Sequence, residues 1–215
     1  MVVSMPKVID VEERRAELAE AAARLIARAG IGAATMREVA AEAGWTTGAL
    51  THYFTNKREL MLFTFRESLA RRRTLRDARD ESDPRRAIVQ SLEGALPLDD
   101  DRRRHWMVNI AFCAEAAGDT ELSTTQREAY RENRAHVARL LRAGGCATDA
   151  AAALAERLLT VANGIAVQAL FDPKGWSPRR QLDHLHESIE PLLGPTRTLS
   201  LSTCSAPSQR QGSSG

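Results

Sequence analysis

Residues Thr35 to Leu60 read TMREVAAEAGWTTGALTHYFTNKREL and contain the strongest indication of how the N-terminal part of the chain folds. Apolar residues at helical spacing predict a first short helix, which Gly44 can end because glycine adopts positive φ without strain. Thr46 is a natural N-cap for a second helix that extends to about Phe54. Two short helices joined by a turn that contains glycine predict a helix-turn-helix, whose second helix enters the DNA major groove.

The second helix of this motif is poor in core-forming residues. Such short polar side chains let a helix backbone approach phosphates and base edges, and their hydroxyls donate to phosphate oxygens. A surface helix with no partner can have the same composition, so the pattern alone leaves both interpretations open. The residues concerned are Thr46, Thr47, Gly48, Thr51 and His52.

The spacing of the whole stretch resembles the DNA-binding domain of the tetracycline-repressor (TetR) family. The similar positions run without gaps through Thr35-x-Arg37-x-Val39-Ala40-x-x-Ala43-Gly44 and Thr46-x-Gly48-x-Leu50-x-x-Tyr53-Phe54-x-x-Lys57-x-x-Leu60. This resemblance implies sequence-specific DNA binding by the N-terminal helices. One position departs from the family, because Thr51 stands where members often have an aromatic residue, and base recognition is expected to differ there.

The resemblance and the helix geometry together suggest which residues touch DNA. Thr35 is equally suited to cap its own helix, with Glu38 in the capping-box position, and Lys57 could be an ordinary solvated lysine. A lysine in the first turn of a helix is unfavourable unless an anion lies nearby, and the resemblance makes that anion a DNA phosphate. We expect base contacts from Arg37, Thr47, Gly48 and His52. We expect phosphate contacts from Thr35, Thr46, Thr51, Tyr53 and Lys57.

Composition excludes several classes without identifying a function. The chain has 215 residues and a formal net charge of +2, so any DNA affinity must come from where its cations point. Cys113, Cys146 and Cys204 are far apart with no CxxC, so we expect reduced thiols and a cytoplasmic location. There is no run of about twenty apolar residues that would predict a membrane span. Residues 1–10 lack the apolar core of a signal peptide.

Helical patterns continue to about Gly194 and predict an all-α chain of about nine helices, with an N-terminal three-helix helix-turn-helix domain and a C-terminal helical domain. The basic run Arg71 to Arg73 could be a nucleic-acid patch, but acidic neighbours favour a solvated helix face. We expect a flexible arm over residues 1–10, the helix-turn-helix domain over 11–56, a connecting helix over 57–82, a ligand-binding and dimerisation domain over 83–194, and a disordered tail over 195–215.

The last two helices have the most regular patterns. Thr148-Asp149 and Ser177-Pro178 are expected to cap them, and aliphatic residues then step by three and four. Such an antiparallel pair either packs inside its own chain or meets a second copy in a four-helix bundle. The run from Leu158 to Pro173, followed by Trp176-Ser177-Pro178, resembles the C-terminal domain of the BetI-like branch, and the family resemblance favours the dimer. The expected interface residues are Leu154, Leu158, Val161, Ile165, Leu182, Leu185, Ile189 and Leu192.

The resemblance also implies a small-molecule effector site among the C-terminal helices. Its candidate residues are polar or aromatic side chains that interrupt aliphatic faces, although ordinary packing explains each equally well: Trp106, Asn109, Cys113, Tyr130, Asn163 and Gln168. No cofactor and no metal site is expected, because His184 and His186 do not share a helix face. The sequence contains no phosphate loop or nucleophile motif, so no catalytic residue is assigned.

These patterns predict a homodimeric transcriptional regulator, and specifically a repressor that a small molecule releases from a palindromic DNA operator. Two alternatives remain open. One is a DNA-binding dimer without a small-molecule effector. The other is an all-α enzyme, which the lack of a catalytic constellation makes the weaker interpretation.

Overall fold

A computed structural model describes residues 11–194, which form nine α-helices, one 3₁₀-helix and no strand. The expectation of an all-α chain is therefore confirmed. The arm and the tail that we expect at the two ends lie outside the described residues. The helices are α1 (Val11–Ala29), α2 (Met36–Glu42), α3 (Thr47–Thr51), α4 (Lys57–Asp77), α5 (Pro84–Gly94), α6 (Asp100–Ala116), α7 (Thr120–Ala143), α8 (Thr148–Phe171) and α9 (Pro178–Leu193); the 3₁₀-helix spans Ile31–Ala33.

Side chains cap several of these helices, and the caps predicted at Thr35, Thr46 and Ser177 are present. Asp83 and Ser177 each accept a backbone N–H and precede a proline at the first helical position. The start of α8 differs, because Ala147 occupies the N-cap position and makes no side-chain bond. The expected cap by Thr148-Asp149 is therefore wrong. Both residues lie inside the first turn, where the charge of Asp149 favours the helix dipole.

Contacts between the helices divide the described residues into two compact units. The first comprises residues 11–77 and 99–127, and the second comprises residues 78–98 and 128–194. In the first unit α1 packs against α2, α4 and α6, and α4 also packs against α6. In the second unit α8 packs against α9, and α5 packs against both. This division groups α4 and α6 with the helix-turn-helix, whereas the predicted domain boundaries lie at residues 57 and 83.

An aromatic pair fixes α6 to α4 within the first unit. The rings of Phe65 and Phe112 stack with centroids 4.0 Å apart and planes 10° apart. Both side chains are fully buried. Burial of each phenyl ring contributes up to about 3 kcal/mol, and stacking adds up to about 1.5 kcal/mol. This pair explains why α6, which is far from the helix-turn-helix in sequence, shares its hydrophobic core.

Helix α8 is long and apolar enough to cross a membrane, with a mean hydropathy of 1.4 over its best window. That test uses only length and composition, and core helices of globular proteins pass it too. Here 44% of the window is buried, and α8 packs against α5 and α9. Its exposed face carries Glu156 and Arg157. These observations are typical of a core helix.

Candidate nucleic-acid interface

The turn between α2 and α3 has the geometry that its sequence predicts. Gly44 has φ 75°, a left-handed conformation that costs glycine little. The Trp45 amide donates to the Ala40 carbonyl at 2.8 Å, and the Gly44 amide donates to the Ala41 carbonyl at 3.1 Å. This pair of bonds is a Schellman motif, which satisfies the last carbonyls of α2. The turn is therefore closed by backbone bonds and sets the direction in which α3 leaves.

Two threonines cap the helices of the motif. The Thr35 hydroxyl accepts the Glu38 amide at 3.2 Å, and the Thr46 hydroxyl accepts the Ala49 amide at 3.1 Å. Each cap satisfies one N–H group that the helix itself leaves without a partner. The hydroxyl protons of both threonines are not used in these bonds and can be donated elsewhere. The capping role expected for Thr35 is confirmed, and its phosphate contact stays a prediction.

Helix α3 is fastened by one face and leaves the other open. Leu50 and Phe54 are fully buried, and the Phe54 ring meets Phe63 edge-on at 5.4 Å. These anchors turn the polar residues of the helix outwards. The exposed side of α3 consists of Thr46, Thr47, Gly48, Thr51 and His52. Apart from His52, these residues have small side chains or none, so a DNA backbone or base edge can approach the helix closely.

The hydroxyl of Thr51 is already engaged within the helix. It donates to the Gly48 carbonyl at 2.8 Å. Because the hydroxyl has one proton, Thr51 can donate to a phosphate only by leaving this bond. Where family members often have an aromatic ring, this chain therefore has a hydroxyl that bonds to the backbone of its own helix. A phosphate contact from Thr51 stays a prediction.

Tyr53 is oriented by a tryptophan that the sequence patterns do not single out. The Trp45 and Tyr53 rings meet edge-on with centroids 5.4 Å apart, and the Arg14 guanidinium lies 5.7 Å from the Trp45 ring centre. Trp45 sits in the turn and reaches across the C-terminal end of α3. The available signal was an aromatic residue in a turn that otherwise contains small residues. Trp45 thus belongs to the site as a support for Tyr53.

Arginines around the motif are held by carboxylates. Arg24 and Arg28 of α1 both bond to Glu42 at the end of α2, at 3.2 and 2.8 Å, and the Arg28 bond is the larger cause of a lowered Glu42 pKa. Arg58 pairs with Asp119 at 2.6 Å, which lowers the pKa of that carboxyl. The remaining pairs are Arg14–Glu17, Arg15–Glu59 and Arg37–Glu38.

Lys57 is therefore the one cation of residues 11–60 with no carboxylate partner among the described residues. Its ammonium group donates to the Ile31 carbonyl at 3.3 Å. That bond ties the start of α4 to the 3₁₀-helix but leaves the positive charge uncompensated. The side chain is half-buried. These observations make Lys57 the strongest candidate for an anion contact, which stays a prediction.

Arg37, one of the expected base-reading residues, is highly accessible. Its side chain is 83% exposed, and its guanidinium bonds to the neighbouring Glu38 at 2.9 Å. An exposed ion pair of this kind contributes at most about 1 kcal/mol, so a guanine edge can compete for the guanidinium. The pair with Glu38 also restricts the directions from which Arg37 can approach a base.

The expected effector residues are spread over both units. Trp106, Asn109 and Cys113 lie on α6 in the first unit, where the Cys113 thiol donates to the Asn109 side chain at 3.7 Å. The others, Tyr130, Asn163 and Gln168, lie in the second unit. Tyr130 and Gln168 are exposed. An effector contact from any of these residues stays a prediction.

Most of the expected interface residues are buried inside their own chain. Leu158 and Leu185 are fully buried, and Ile189 is 1% exposed, so these side chains pack in the core of the second unit. Leu154 and Ile165 are buried too, at 9% and 6% exposure. These five side chains therefore offer little surface to a second copy, and an interface through them stays a prediction. Of the expected residues, those that keep partial exposure are Val161, Leu182 and Leu192.

The histidines of α9 face different neighbours. His184 lies 5.0 Å from the Trp176 ring, whereas the His186 ring bonds to the Glu93 carboxylate at 2.7 Å. Within residues 11–194, no three His, Cys, Asp or Glu side chains are arranged to hold a metal ion.

Comparison with known proteins identifies the family of both halves of the chain. Residues 18–62 match the family described as bacterial regulatory proteins, tetR family. Residues 84–194 match the family described as BetI-type transcriptional repressor, C-terminal. Both matches confirm the resemblance that the sequence patterns suggested.

Relatives and solved structures agree with these matches. The chain is 32% identical to the HTH-type transcriptional regulator PksA of Bacillus subtilis over 174 residues, which cover 79% of this chain and 84% of PksA. It is 27% identical to the regulator BetI of Vibrio parahaemolyticus over 178 residues, covering 80% and 87%.

Among solved structures, a transcriptional regulator from Rhodococcus sp. Rha1 superposes with a TM-score of 0.78 at 29% identity, covering 83% and 95% of the two chains. A regulator from Saccharomonospora viridis, solved in complex with choline, superposes with a TM-score of 0.73 at 23% identity, covering 83% and 96%. With its helix-turn-helix, its C-terminal helices and these relatives, the chain belongs to the TetR family of bacterial regulatory proteins and is a DNA-binding transcriptional regulator.

Proposed function

We propose that the chain represses transcription as a homodimer that binds a pseudo-palindromic operator and leaves it when a small molecule binds. Its place of action would be the cytoplasm, where a bacterial chromosome lies. In such a dimer the two α3 helices enter successive major grooves about 34–36 Å apart. The observation that carries the proposal is the exposed side of α3, which apart from His52 has only small side chains, together with the uncompensated charge of Lys57 at the start of the next helix.

The exposed residues of the motif suggest a division of roles on DNA. Arg37 would bond a guanine edge, while Thr47, Gly48 and His52 of α3 would lie against neighbouring base edges. Around them, the caps and the end of the motif would hold the phosphates. Support for this division comes from exposure, since α3 turns its buried anchors away from these side chains. The phosphate group comprises Thr35, Thr46, Thr51, Tyr53 and Lys57.

Dimerisation would use the exposed face of α8 together with the partly exposed residues of the α8–α9 pair. Val167 and Phe171, one helical turn apart, are 37% and 71% exposed. Thr160 and Gly164 continue this face with small side chains that allow close helix approach. A second copy packed on this face would form a four-helix bundle. Exposed aromatic surface of this kind is costly in water, which supports a covered face.

The effector would be a small molecule bound among the C-terminal helices and acting by differential affinity for two states of the dimer. A structurally similar regulator holds choline, so choline is the first compound to test. We expect choline or a chemically related compound to raise the melting temperature of the protein and to lower its operator affinity. If a metabolite screen yields no stabilising compound, the alternative of a DNA-binding dimer without an effector is favoured.

The decisive experiment selects bound genomic fragments and then measures operator affinity against salt. Removal of one phosphate contact reduces the salt slope by about one, so Lys57→Ala should reduce it by about two in a dimer. Lys174→Ala is the matched control, because Lys174 is an exposed lysine in the loop before α9. Recovery of no specific fragment would contradict the proposed function. An unchanged salt slope in Lys57→Ala would contradict the docking face alone.

A further inference from the structure

A cleft of about 480 Å³ lies within the first unit, between α1, α4 and α6. Each helix lines it with one face whose residues recur at helical spacing. Helix α1 contributes mainly alanines, α4 contributes hydroxyls and charged residues, and α6 contributes a histidine and a valine among charged residues. The volume lies in the range of small-molecule sites. None of the residues expected to bind an effector lines this cleft.

The cleft exists because several of the side chains that line it are small. Ala16, Ala19 and Ala23 of α1 face Thr64 and Ser68 of α4, and none of these side chains is long enough to fill the space. Next to Thr64 on α4, the buried Phe65 ring stacks on Phe112, which lies one helical turn beyond Val108 on α6. Arg71 of α4 and Asp101 of α6 form an ion pair at 3.0 Å. The aromatic pair and the ion pair thus both join α4 to α6 beside the cleft.

A histidine provides a directed polar group at the inner wall. The Nδ1 atom of His105 bonds to the Ser68 hydroxyl at 2.6 Å. Burial, aided by the nearby Arg72 guanidinium, lowers the pKa of His105 to about 3, so the ring is neutral at physiological pH. A neutral imidazole has one further polar atom, Nε2, and that atom has no hydrogen-bond partner among the described residues. It can therefore bond a polar group placed in the cleft.

The charges that line the cleft are mostly paired. Arg71 bonds to Asp101, and Arg104 bonds to Glu20. Arg72 also interacts with neighbouring groups. Glu67, which lies on the same face of α4 as Ser68, has no hydrogen bond and no ion pair with any described residue. The Glu67 carboxylate therefore leaves an unpaired negative charge at the cleft.

We propose that this cleft binds a small organic ammonium ion, whose positive group pairs with Glu67 while its apolar part covers the α1 alanines and Val108. A hydrogen-bonding group on the ligand would reach Nε2 of His105. The site is separate from the effector site proposed for the C-terminal helices and does not depend on DNA binding. Because α1 belongs to the helix-turn-helix domain, a ligand held here contacts that domain directly.

The test uses the full chain and benzylammonium chloride as the probe, with neutral benzyl alcohol as its uncharged counterpart. Affinity is measured by titration calorimetry, and the position of the probe is followed by NMR of the histidine imidazole resonances. We expect benzylammonium to bind more tightly than benzyl alcohol and to shift the His105 resonances without shifting those of the exposed His52. Absence of any His105 shift up to the solubility limit of the probe would overturn the proposal.

Two pairs of variants make the location specific. Glu67→Gln should weaken benzylammonium binding about threefold, as expected for one exposed ion pair, whereas Glu115→Gln on the exposed side of α6 should not. Ala16→Leu should fill the cleft and weaken binding more than about tenfold, whereas Ala29→Leu at the exposed end of α1 should not. Unchanged affinity in Glu67→Gln and Ala16→Leu, or equal binding of benzyl alcohol, would refute the site.

Discussion

Substitution of Thr46 can separate the two roles that this residue is expected to have. The Thr46 hydroxyl accepts the Ala49 amide at 3.1 Å and so caps α3, a helix of only 5 residues. Thr46→Ala removes the cap and should cost about 1 kcal/mol of stability, which corresponds to a fall in melting temperature of about 2–4 °C for a chain of this size. Thr46→Asp keeps a good N-cap and should leave the melting temperature unchanged or slightly higher.

The substitution that preserves stability, Thr46→Asp, should be the one that weakens DNA binding. An aspartate beside a phosphate introduces like-charge repulsion of about 1 kcal/mol for each α3, or about 2 kcal/mol and about 30-fold in affinity for a dimer. The effect should be largest at low salt, where screening is weakest. Fluorescence anisotropy with the selected operator measures the affinity, and thermal denaturation measures the stability.

The outcome discriminates between a cap and a phosphate ligand. Thr46→Ser retains both the cap and the hydroxyl, so it serves as the control that should bind like the parent. If Thr46→Asp binds the operator as tightly as the parent at low salt, Thr46 is a cap only, and the phosphate assignment is refuted. If the melting temperature of Thr46→Ala equals that of the parent, the hydrogen bond from Ala49 to Thr46 does not stabilise the folded chain, and the capping role is refuted.

Three other parts of the fold can be tested in the same way. Phe171→Arg should convert a dimer to monomers in analytical ultracentrifugation, because it places a charge on the exposed face of α8. The control Leu75→Arg, at an exposed position on α4, should remain dimeric. A dimeric Phe171→Arg variant would show that the interface lies elsewhere. Phe112→Ala should lower the free energy of unfolding by about 3–5 kcal/mol in urea titrations, because it leaves a cavity where the ring stacked on Phe65. A loss no larger than that of Leu75→Ala would contradict the assignment of Phe112 to the core. Because the pKa of His105 falls from 6.5 to about 3 on folding, the folded chain binds fewer protons than the unfolded chain between these values. Stability should therefore fall as the pH drops through that window, with a slope of up to about 1.4 kcal/mol per pH unit. His105→Gln should flatten this slope and His52→Gln should not.

The local features of the helix-turn-helix could be predicted from sequence because they depend on neighbouring residues. Gly44 ends α2, Thr46 caps α3, and Leu50 anchors it, each for a reason that a few residues contain. The family resemblance supplied what local reasoning could not, namely that the exposed side of α3 faces DNA. The role of Trp45 was not predicted because it depends on contact with the Tyr53 ring, eight positions further along the chain. The two residues do not lie in one continuous helix, so helical spacing does not predict their contact.

Features that depend on three-dimensional packing are harder to predict from the sequence. The helical spacing of aliphatic residues in α8 and α9 shows that one face of each helix is buried. The spacing does not show whether that face packs against the same chain or against a second copy. Leu158 and Leu185 follow the period and are buried inside the chain, whereas Phe171 lies on the exposed face. The packing of α6 against α4 could not be predicted from local patterns either, because it depends on Phe65 and Phe112, which lie far apart in sequence.

The first unit is discontinuous in sequence, because residues 78–98 leave it before residues 99–127 return to complete it. A chimaera that takes only a continuous N-terminal segment from one regulator would separate α1 from the native α6 on which it packs. New operator specificity is therefore more safely transferred by exchanging exposed side chains of α2 and α3 than by exchanging whole N-terminal segments. The same constraint predicts that, during divergence of such regulators, the facing surfaces of α1 and α6 change together while the exposed side of α3 changes independently.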